Sequence, residues 1–405
     1  MKTILQINIV VNFGSTGHIA EELGKTAMAN GWESHIAYGR NERSSESGLI
    51  KIGSDYEVNW HVLQTRLIDR HGLGSKRATL KFVEQIKKLK PDIIHLHNIH
   101  GYYINIEVLF NYLATANIPV VWTLHDCWPL TGHCAHFDFV GCDKWKTGCF
   151  SCPQTKEYPA SFAFDRSKKN HLLKKDLFTS INKLTFVPVS QWLSNIVNQS
   201  FLKNYPFQVI NNGIDIDVFV PYKDDLISDK YNIKGKFVVL GVANVWSARK
   251  GLSDFIELSR IIDSNCRIIL IGLTTKQIKD LPQNIIGLSR TESTKELAEF
   301  YSYADVFLNP TWEDNFPTTN LESLACGTPV ITYRTGGSAE AISTETGLIV
   351  EKGDIQGLSN AVKIINEKGK RSFSIACRER AEKLYDKRER YQEYINLYDK
   401  VLSIE

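Results

Sequence analysis

Two carboxylates eight positions apart, Asp314 and Glu322, stand on either side of a Pro-Thr-Thr step in NPTWEDNFPTTNLESLACGTPVI, residues 309–331. An apolar run ends at Asn309–Pro310, Glu313 and Asp314 follow on a loop, and a helix is expected to open near Thr318, after Phe316 and Pro317. The first N–H groups of a helix have no acceptor within it, so Thr318, Thr319 and Asn320 offer an anion site suited to a diphosphate. An ionised Glu322 one turn in only accepts hydrogen bonds, and a ribose presents two adjacent hydroxyl donors. A lone helical Glu is ordinarily solvated, so the weight lies in its company. GVANVWSARKG, residues 241–251, brings Arg249 and Lys250 to the end of another expected strand, and TGGSAEAI, residues 335–342, adds Gly336, Gly337 and Glu340.

A second group of reactive side chains lies earlier. CWPLTGHCAHFDFVGCDKWKTGCFSCPQ, residues 127–154, spaces Cys134, Cys142, Cys149 and Cys152 by seven, six and two residues, with Cys127, His133 and His136 nearby. Four cysteines ending in Cys-x-x-Cys fit a tetrahedral zinc-thiolate site. Four thiolates leave no open position, so the expected role is structural, with free thiols or a disulfide pair as the alternative. TLHD, residues 123–126, ends a buried run at His125. In HLHNIHG, residues 95–101, His95 and His97 point the same way on a strand, as cleft lining or core. NFGSTGH, residues 12–18, places Gly14 and Gly17 where backbone can approach a ligand closely, without the spacing of a dinucleotide fingerprint.

These residues need strands to present them. Apolar β-branched runs alternate with helical patterns, the mark of parallel βαβ units. Strands are expected at 4–11, 34–37, 92–97, 120–125 and 184–189, with helices at 17–30 and 77–89 between them. NNGIDIDVFVP, residues 211–221, reads as a connection, and its Asp215-x-Asp217 is taken as turn chemistry. The pattern then restarts with strands at 237–242, 267–272, 306–309 and 330–333 and helices at 251–263, 295–303 and 319–325. A charged helical stretch runs from about 355 to 402. The expected organisation is an α/β chain of two Rossmann-like domains, 1–208 and 209–385, facing a central cleft, with a helical tail at 386–405 packing back on the first.

Taken together, the motifs resemble the retaining family-four glycosyltransferases with the GT-B fold, of the bacterial polysaccharide-cluster type. That family's signature is two acidic residues separated by seven, then a small-residue helix and Gly-x-Pro, matched here by Asp314, Glu322 and Ala325-Cys326-Gly327-Thr328-Pro329. The first acid is Asp where the family usually has Glu, so either Glu313 or Asp314 fills that place. The resemblance implies that Lys250 neutralises a donor diphosphate. The family arginine is replaced by Val245, leaving Arg249 as its substitute. It implies that Gly336, Gly337 and Glu340 lie near the donor, together with Phe316 and Pro317, that Gly14 and Gly17 border it, and that His125 meets a donor-sugar hydroxyl. The reaction so implied moves a sugar from a nucleoside-diphosphate sugar to a hydroxyl of a saccharide or lipid-linked acceptor, with retention and no catalytic metal. A phosphorylase or sugar-phosphate synthase on the same fold, or a nucleotide-sugar sensor, are the competing readings.

Composition sets outer limits. Of 405 residues 43% are hydrophobic and 23% charged, as in soluble globular chains. The formal charge of +3 suggests no nucleic-acid partner. No apolar run is long enough to span a bilayer, and the opening MKTILQINIVV reads as a strand, which points to the cytoplasm. Residues 1–208 carry 23 Lys and Arg against 17 Asp and Glu. RSKKNHLLKK at 166–175 and the lysines Lys81, Lys87, Lys88 and Lys90 suggest a basic face for an anionic membrane surface.

Overall fold

The computed structural model describes residues 1–222 and 226–403. The chain divides into two units, residues 1–211 with 390–405, and residues 212–389. Each is built on one six-stranded, all-parallel sheet.

In the first unit the strands are β1 (Thr3–Ile7), β2 (Glu33–Tyr38), β3 (Gly48–Lys51), β4 (Ile93–Leu96), β5 (Val120–Leu124) and β6 (Leu184–Pro188), in the order β3-β2-β1-β4-β5-β6. In the second they are β7 (Phe237–Val242), β8 (Cys266–Ile271), β9 (Ile285–Leu288), β10 (Val306–Asn309), β11 (Val330–Tyr333) and β12 (Gly347–Val350), in the order β12-β11-β10-β7-β8-β9. Read from the opposite edge, the second order is the first. Both are doubly wound sheets in which the first and fourth strands are neighbours and the winding reverses between them.

The central strands β1, β4 and β5 are buried along their whole length, as continuous apolar runs in a parallel sheet should be. The expected strand at 4–11 stops at Ile7, because Asn8 turns the chain. Its amide donates to Val10 O at 3.0 Å and its Oδ1 accepts from Asn98 N at 3.4 Å. The following helix therefore opens early, spanning Gly14–Ala29.

The last helix, Lys387–Ser403, sends its residues from Arg390 onward into the first unit. Tyr391, Tyr394, Ile395, Leu397 and Tyr398 join a buried cluster with Ile4, Leu23, Trp32, Val121 and Val187. Tyr398 OH meets His95 Nδ1 at 2.7 Å, and Thr123 Oγ1 donates to Tyr394 OH at 3.1 Å. His95 is a satisfied core histidine.

Candidate active site

In the second unit the winding reverses between β7 and β10, and ligands of such sheets settle outside the carboxyl ends of these strands. The loop after β7 enters a 3-10 turn, Ala248–Lys250, and then the helix Leu252–Ile261. The loop after β10 enters the helix Thr318–Ala325. The two loops are joined by backbone and charge. Trp312 N donates to Arg249 O at 2.8 Å, Arg249 Nη1 donates to Glu313 O at 3.4 Å, and Lys250 Nζ forms an ion pair with the Asp314 carboxylate. Asp314, rather than the buried Glu313, offers its carboxylate to the lysine. Trp312 is pinned from below, its indole N–H and the Tyr333 hydroxyl both donating to Asp254 Oδ2, at 2.9 and 2.7 Å.

The first glycine of the pair is required by contact. Gly336 has φ +49°, and a Cβ there would lie 1.9 Å from Asp314 O. Gly337 N donates to that same carbonyl at 3.1 Å. The turn that follows, Ser338–Ala341, carries Glu340. A buried amide network ties this turn to the helix start. Asn309 Nδ2 donates to Asn320 Oδ1 at 2.8 Å, Asn320 Nδ2 donates to Ser338 O at 3.0 Å, and Ser338 Oγ meets Thr332 Oγ1 at 2.7 Å.

The helix terminus is narrower as an anion site than the sequence suggested. Asn320 N already donates to Pro317 O at 3.2 Å, which leaves the role to Thr318 and Thr319. Phe316 sits just ahead of that helix. Its ring is buried, set edge-on to Tyr385 with centroids 5.8 Å apart, so it anchors the loop from inside. Glu322 accepts from Tyr301 OH at 2.8 Å and from the Thr318 side chain. Burial raises its pKa above the ordinary carboxylate value, and those two hydrogen bonds oppose the shift.

In the first unit the reversal lies between β1 and β4. Gly14 and Gly17 follow β1, and Gly17 presses on its own loop: a Cβ there would sit 3.0 Å from Val10 Cγ2 and 3.2 Å from Asn12 N. His125 follows β5, and its Nε2 lies 3.1 Å from His97 Nδ1. Gln6 fixes the protons. Its amide nitrogen donates to Ala20 O at 2.8 Å, so its Oε1, 3.0 Å from His97 Nε2, must accept. His97 therefore carries its proton on Nε2 and accepts from His125 Nε2–H. Burial pulls the His125 pKa down to about 4, with Asp126 opposing and His100 assisting, so the ring is neutral at ordinary pH.

The next residue carries a pair that spacing did not expose. Asp126 Oδ2 lies 2.7 Å from His100 Nε2, and its Oδ1 accepts from Trp128 N at 2.9 Å. Burial alone would raise the Asp126 pKa, but the His100 interaction outweighs it and holds the value near about 2.

A family profile described as Glycosyltransferase Family 4 matches residues 16–218, just over half of the chain. The chain belongs to glycosyltransferase family 4. A second profile, Glycosyl transferases group 1, matches residues 236–367. The transferase is 24% identical over 412 residues to WcaC of Escherichia coli (strain K12), named as a colanic acid biosynthesis glycosyl transferase, covering 98% of this chain and 99% of that one. It is 26% identical over 261 residues to the N,N'-diacetylbacillosaminyl-diphospho-undecaprenol alpha-1,3-N-acetylgalactosaminyltransferase of Campylobacter jejuni, covering 60% and 69%. Among solved structures it is similar to sucrose-phosphate synthase of Thermosynechococcus elongatus (TM-score 0.75, 18% identity, 100% of both chains). It is also similar to Anabaena HepE in complex with UDP-glucose (TM-score 0.68, 15% identity, 99% and 100%). The fold is GT-B.

The cysteine loop of the transferase gathers its thiols without closing them. Cys134, Cys142, Cys149 and Cys152 all line one cavity of about 10 Å³, which His133 also borders. His133 Nδ1 meets Asp69 Oδ1 at 2.7 Å, Gly132 N donates to Cys149 Sγ at 3.1 Å, and Cys134 and Cys152 are hydrogen-bonded to each other. The hydrogen bond from Cys134 lowers the Cys152 pKa to about 7 and raises that of Cys134. All eight cysteines are free thiols. Among the described residues no three His, Cys, Asp or Glu side chains are assembled as a metal-binding set.

The basic stretch at 166–175 is also corrected at one position. Lys174 is buried, donating to Trp128 O at 2.7 Å and Thr131 O at 3.0 Å, so it serves the loop and not the surface. Burial lowers its pKa to about 7. No helix among the described residues is long and apolar enough to cross a membrane.

Proposed function

We propose that this transferase moves a glycosyl group from a nucleoside-diphosphate sugar to a hydroxyl of a saccharide or lipid-linked acceptor, with retention at the anomeric carbon. The product belongs to capsule, O-antigen or exopolysaccharide assembly, and the protein works at the cytoplasmic face of the inner membrane as a peripheral protein. The observation that carries the reading is the ring of groups at the β7/β10 reversal. Lys250 paired with Asp314, the start of the helix Thr318–Ala325, and Glu322 held by Tyr301 are three different functions on the segments that follow two neighbouring strands.

In this reading the diphosphate displaces the Asp314 carboxylate from Lys250, and Lys250, Arg249 and the Thr318–Thr319 N–H groups hold the charge that grows on the leaving phosphate. Glu322 accepts from the ribose hydroxyls. Neutral His125 hydrogen-bonds a donor-sugar hydroxyl. The acceptor hydroxyl attacks the anomeric carbon as its bond to the diphosphate breaks, and the leaving phosphate oxygen takes the acceptor's proton. The names of the Escherichia coli and Campylobacter relatives and the UDP-glucose in the HepE structure support the classes of donor and acceptor. A zinc ion on the cysteine loop has a structural part in the same reading.

The test is a screen of UDP- and GDP-sugars by thermal shift. It is followed by incubation of any binder with acceptors and NMR of the product's anomeric carbon. Release of nucleoside diphosphate with a retained anomer is the expected result. Donor binding with no hydrolysis and no transfer would favour a sensor, and an inverted anomer would remove the retaining mechanism.

A further inference from the structure

The helix Asp55–Ile68 is turned inside out. Its buried positions are Val58, His61 and Thr65, two of the three polar. His61 holds that orientation: its Nε2 accepts from Gly72 N and Gly74 N, both at 3.1 Å, and its Nδ1 meets Ser75 Oγ at 3.0 Å. The opposite face shows Tyr56, Trp60, Leu63 and Leu67, spaced four, three and four residues apart and so stacked in one stripe. They are 78%, 52%, 43% and 50% exposed.

The stripe does not end with the helix. Phe162 N donates to Arg66 O at 2.8 Å, which places the 161–164 turn beside the last turn of the helix. Ser161 Oγ closes that turn on Phe164 O at 2.7 Å, with Phe162 and Phe164 both exposed. Scattered exposed apolar residues need no explanation, but six on one continuous stretch do.

Charge says what the stripe meets. Arg66 lies within it, and Lys168 and Lys169 follow the turn, all exposed. The acids around it are already engaged. Asp55 pairs with Lys51 at 3.2 Å, Glu57 accepts from Ser54 N at 3.0 Å, and Asp165 accepts from Cys152 N and Ser167 N, both at 2.7 Å. An apolar ridge with aromatic rings, edged by Arg66, Lys168 and Lys169 against Glu57 and Asp165 once Lys51 has offset Asp55, matches an anionic lipid surface. Tyr and Trp rest at the headgroup level, Leu and Phe enter the acyl boundary, and the bases meet lipid phosphates.

We propose that the helix Asp55–Ile68 and the 161–164 turn form the surface by which this protein docks on an anionic lipid bilayer. The proposal deepens the reading of a lipid-linked acceptor and rests on it for its purpose, though not for its geometry.

The experiment is co-sedimentation of the full chain with vesicles of phosphatidylethanolamine and phosphatidylglycerol, against phosphatidylcholine alone, at low and high salt. Light scattering of the free protein and thermal shift with sugar nucleotides run beside it. The wild type is expected to bind the anionic vesicles at low salt as a monomer in solution. Trp60→Ser with Leu67→Ser is expected to weaken binding roughly tenfold or more while leaving the sugar-nucleotide shift intact. Lys168→Ala with Lys169→Ala, which does not touch the helix core, is expected to weaken binding and flatten its salt dependence. Equal recovery on both vesicle types, unchanged binding by both double variants, or a wild-type dimer that the Trp60 and Leu67 changes convert to a monomer would overturn the proposal. Vesicle binding by a wild type that binds no sugar nucleotide would remove the transferase reading and leave the surface standing.

Discussion

At the scale of single residues, the site works by borrowed order. Glu322 is a part-buried carboxylate whose pKa is already raised, and Tyr301 and Thr318 oppose that rise. Removing the carboxylate therefore removes a prepared acceptor, and a hydrogen bond to a charged group is worth roughly 1.5–3 kcal/mol. Glu322→Ala should weaken donor binding by about 10- to 100-fold at unchanged fold, on the same scale. Tyr301→Phe should lose less, because the carboxylate remains. Titration of sugar nucleotide by calorimetry reads both, and wild-type affinity in a folded Glu322→Ala protein would end the assignment. Lys250 poses a different question. Its removal takes away a cation and also frees Asp314 beside the incoming diphosphate, so two unfavourable changes come together. Lys250→Ala should therefore cost more turnover than Lys250→Arg, which keeps the charge. Equal rates for the two variants would show that charge at this position does not matter.

At the scale of elements, the cysteine loop is the one whose purpose rests on something added. Its four thiols line one cavity of about 10 Å³, and a zinc ion would have to draw them together, since among the described residues no three metal-ligating side chains are assembled as a set. Protein purified without added metal should carry about one zinc per chain. Stripping it should loosen the segment from Cys152 to Ser167, which Asp165 links to the loop. No zinc by elemental analysis, with all four thiols alkylated in the native protein, would refute this. Elements also differ in how far they could be read from sequence. Strands β7, β10 and β11 were legible at their true bounds because each is mostly apolar and lies inside its sheet. Strands β3, β9 and β12 were not, since each lies at a sheet edge and is only partly buried. The helix opening at Thr318 was legible from Pro-Thr-Thr. The network of Asn309, Asn320 and Ser338 was not, because it joins three segments that only the sheet brings together. Tyr301 escaped for the same reason, lying 21 residues before the acid it orients. Lys174 was misread because a run of lysines suggests a solvated face, and nothing in its spacing shows which one turns inward to backbone carbonyls.

At the scale of the whole molecule, the two units share a topology but not a chemistry. All eleven histidines lie between His18 and His171, in the first unit, and the second has none. Burial is the leading cause that lowers the pKa of His61 and His125 to about 4 and that of His71, His95 and His97 well below the ordinary value. These rings stay neutral in the folded unit and take protons once it unfolds. Below about pH 6.5 the unfolded state then binds more protons than the folded one, so stability falls as pH falls. Each such histidine costs about 1.4 kcal/mol per pH unit until its folded pKa is reached. All five act in the same direction, so the loss falls on one unit. Asp126, held near about 2, is paired with one of these histidines' neighbours and adds loss in the same direction only at lower pH. The second unit carries the opposite sign in part, because burial raises Glu322 and Asp305, which bind protons more readily when folded. Acid should therefore weaken the first unit as pH falls from about 6.5 towards about 4, while Glu322 and Asp305 favour the second. Hydrogen exchange followed by mass spectrometry across that range separates the two. Peptides from 1–211 and 390–403 should lose protection together, and those from 236–367 should keep it. Loss of protection in both sets at one pH, or a first unit intact at about pH 4, would show that these histidines do not govern stability.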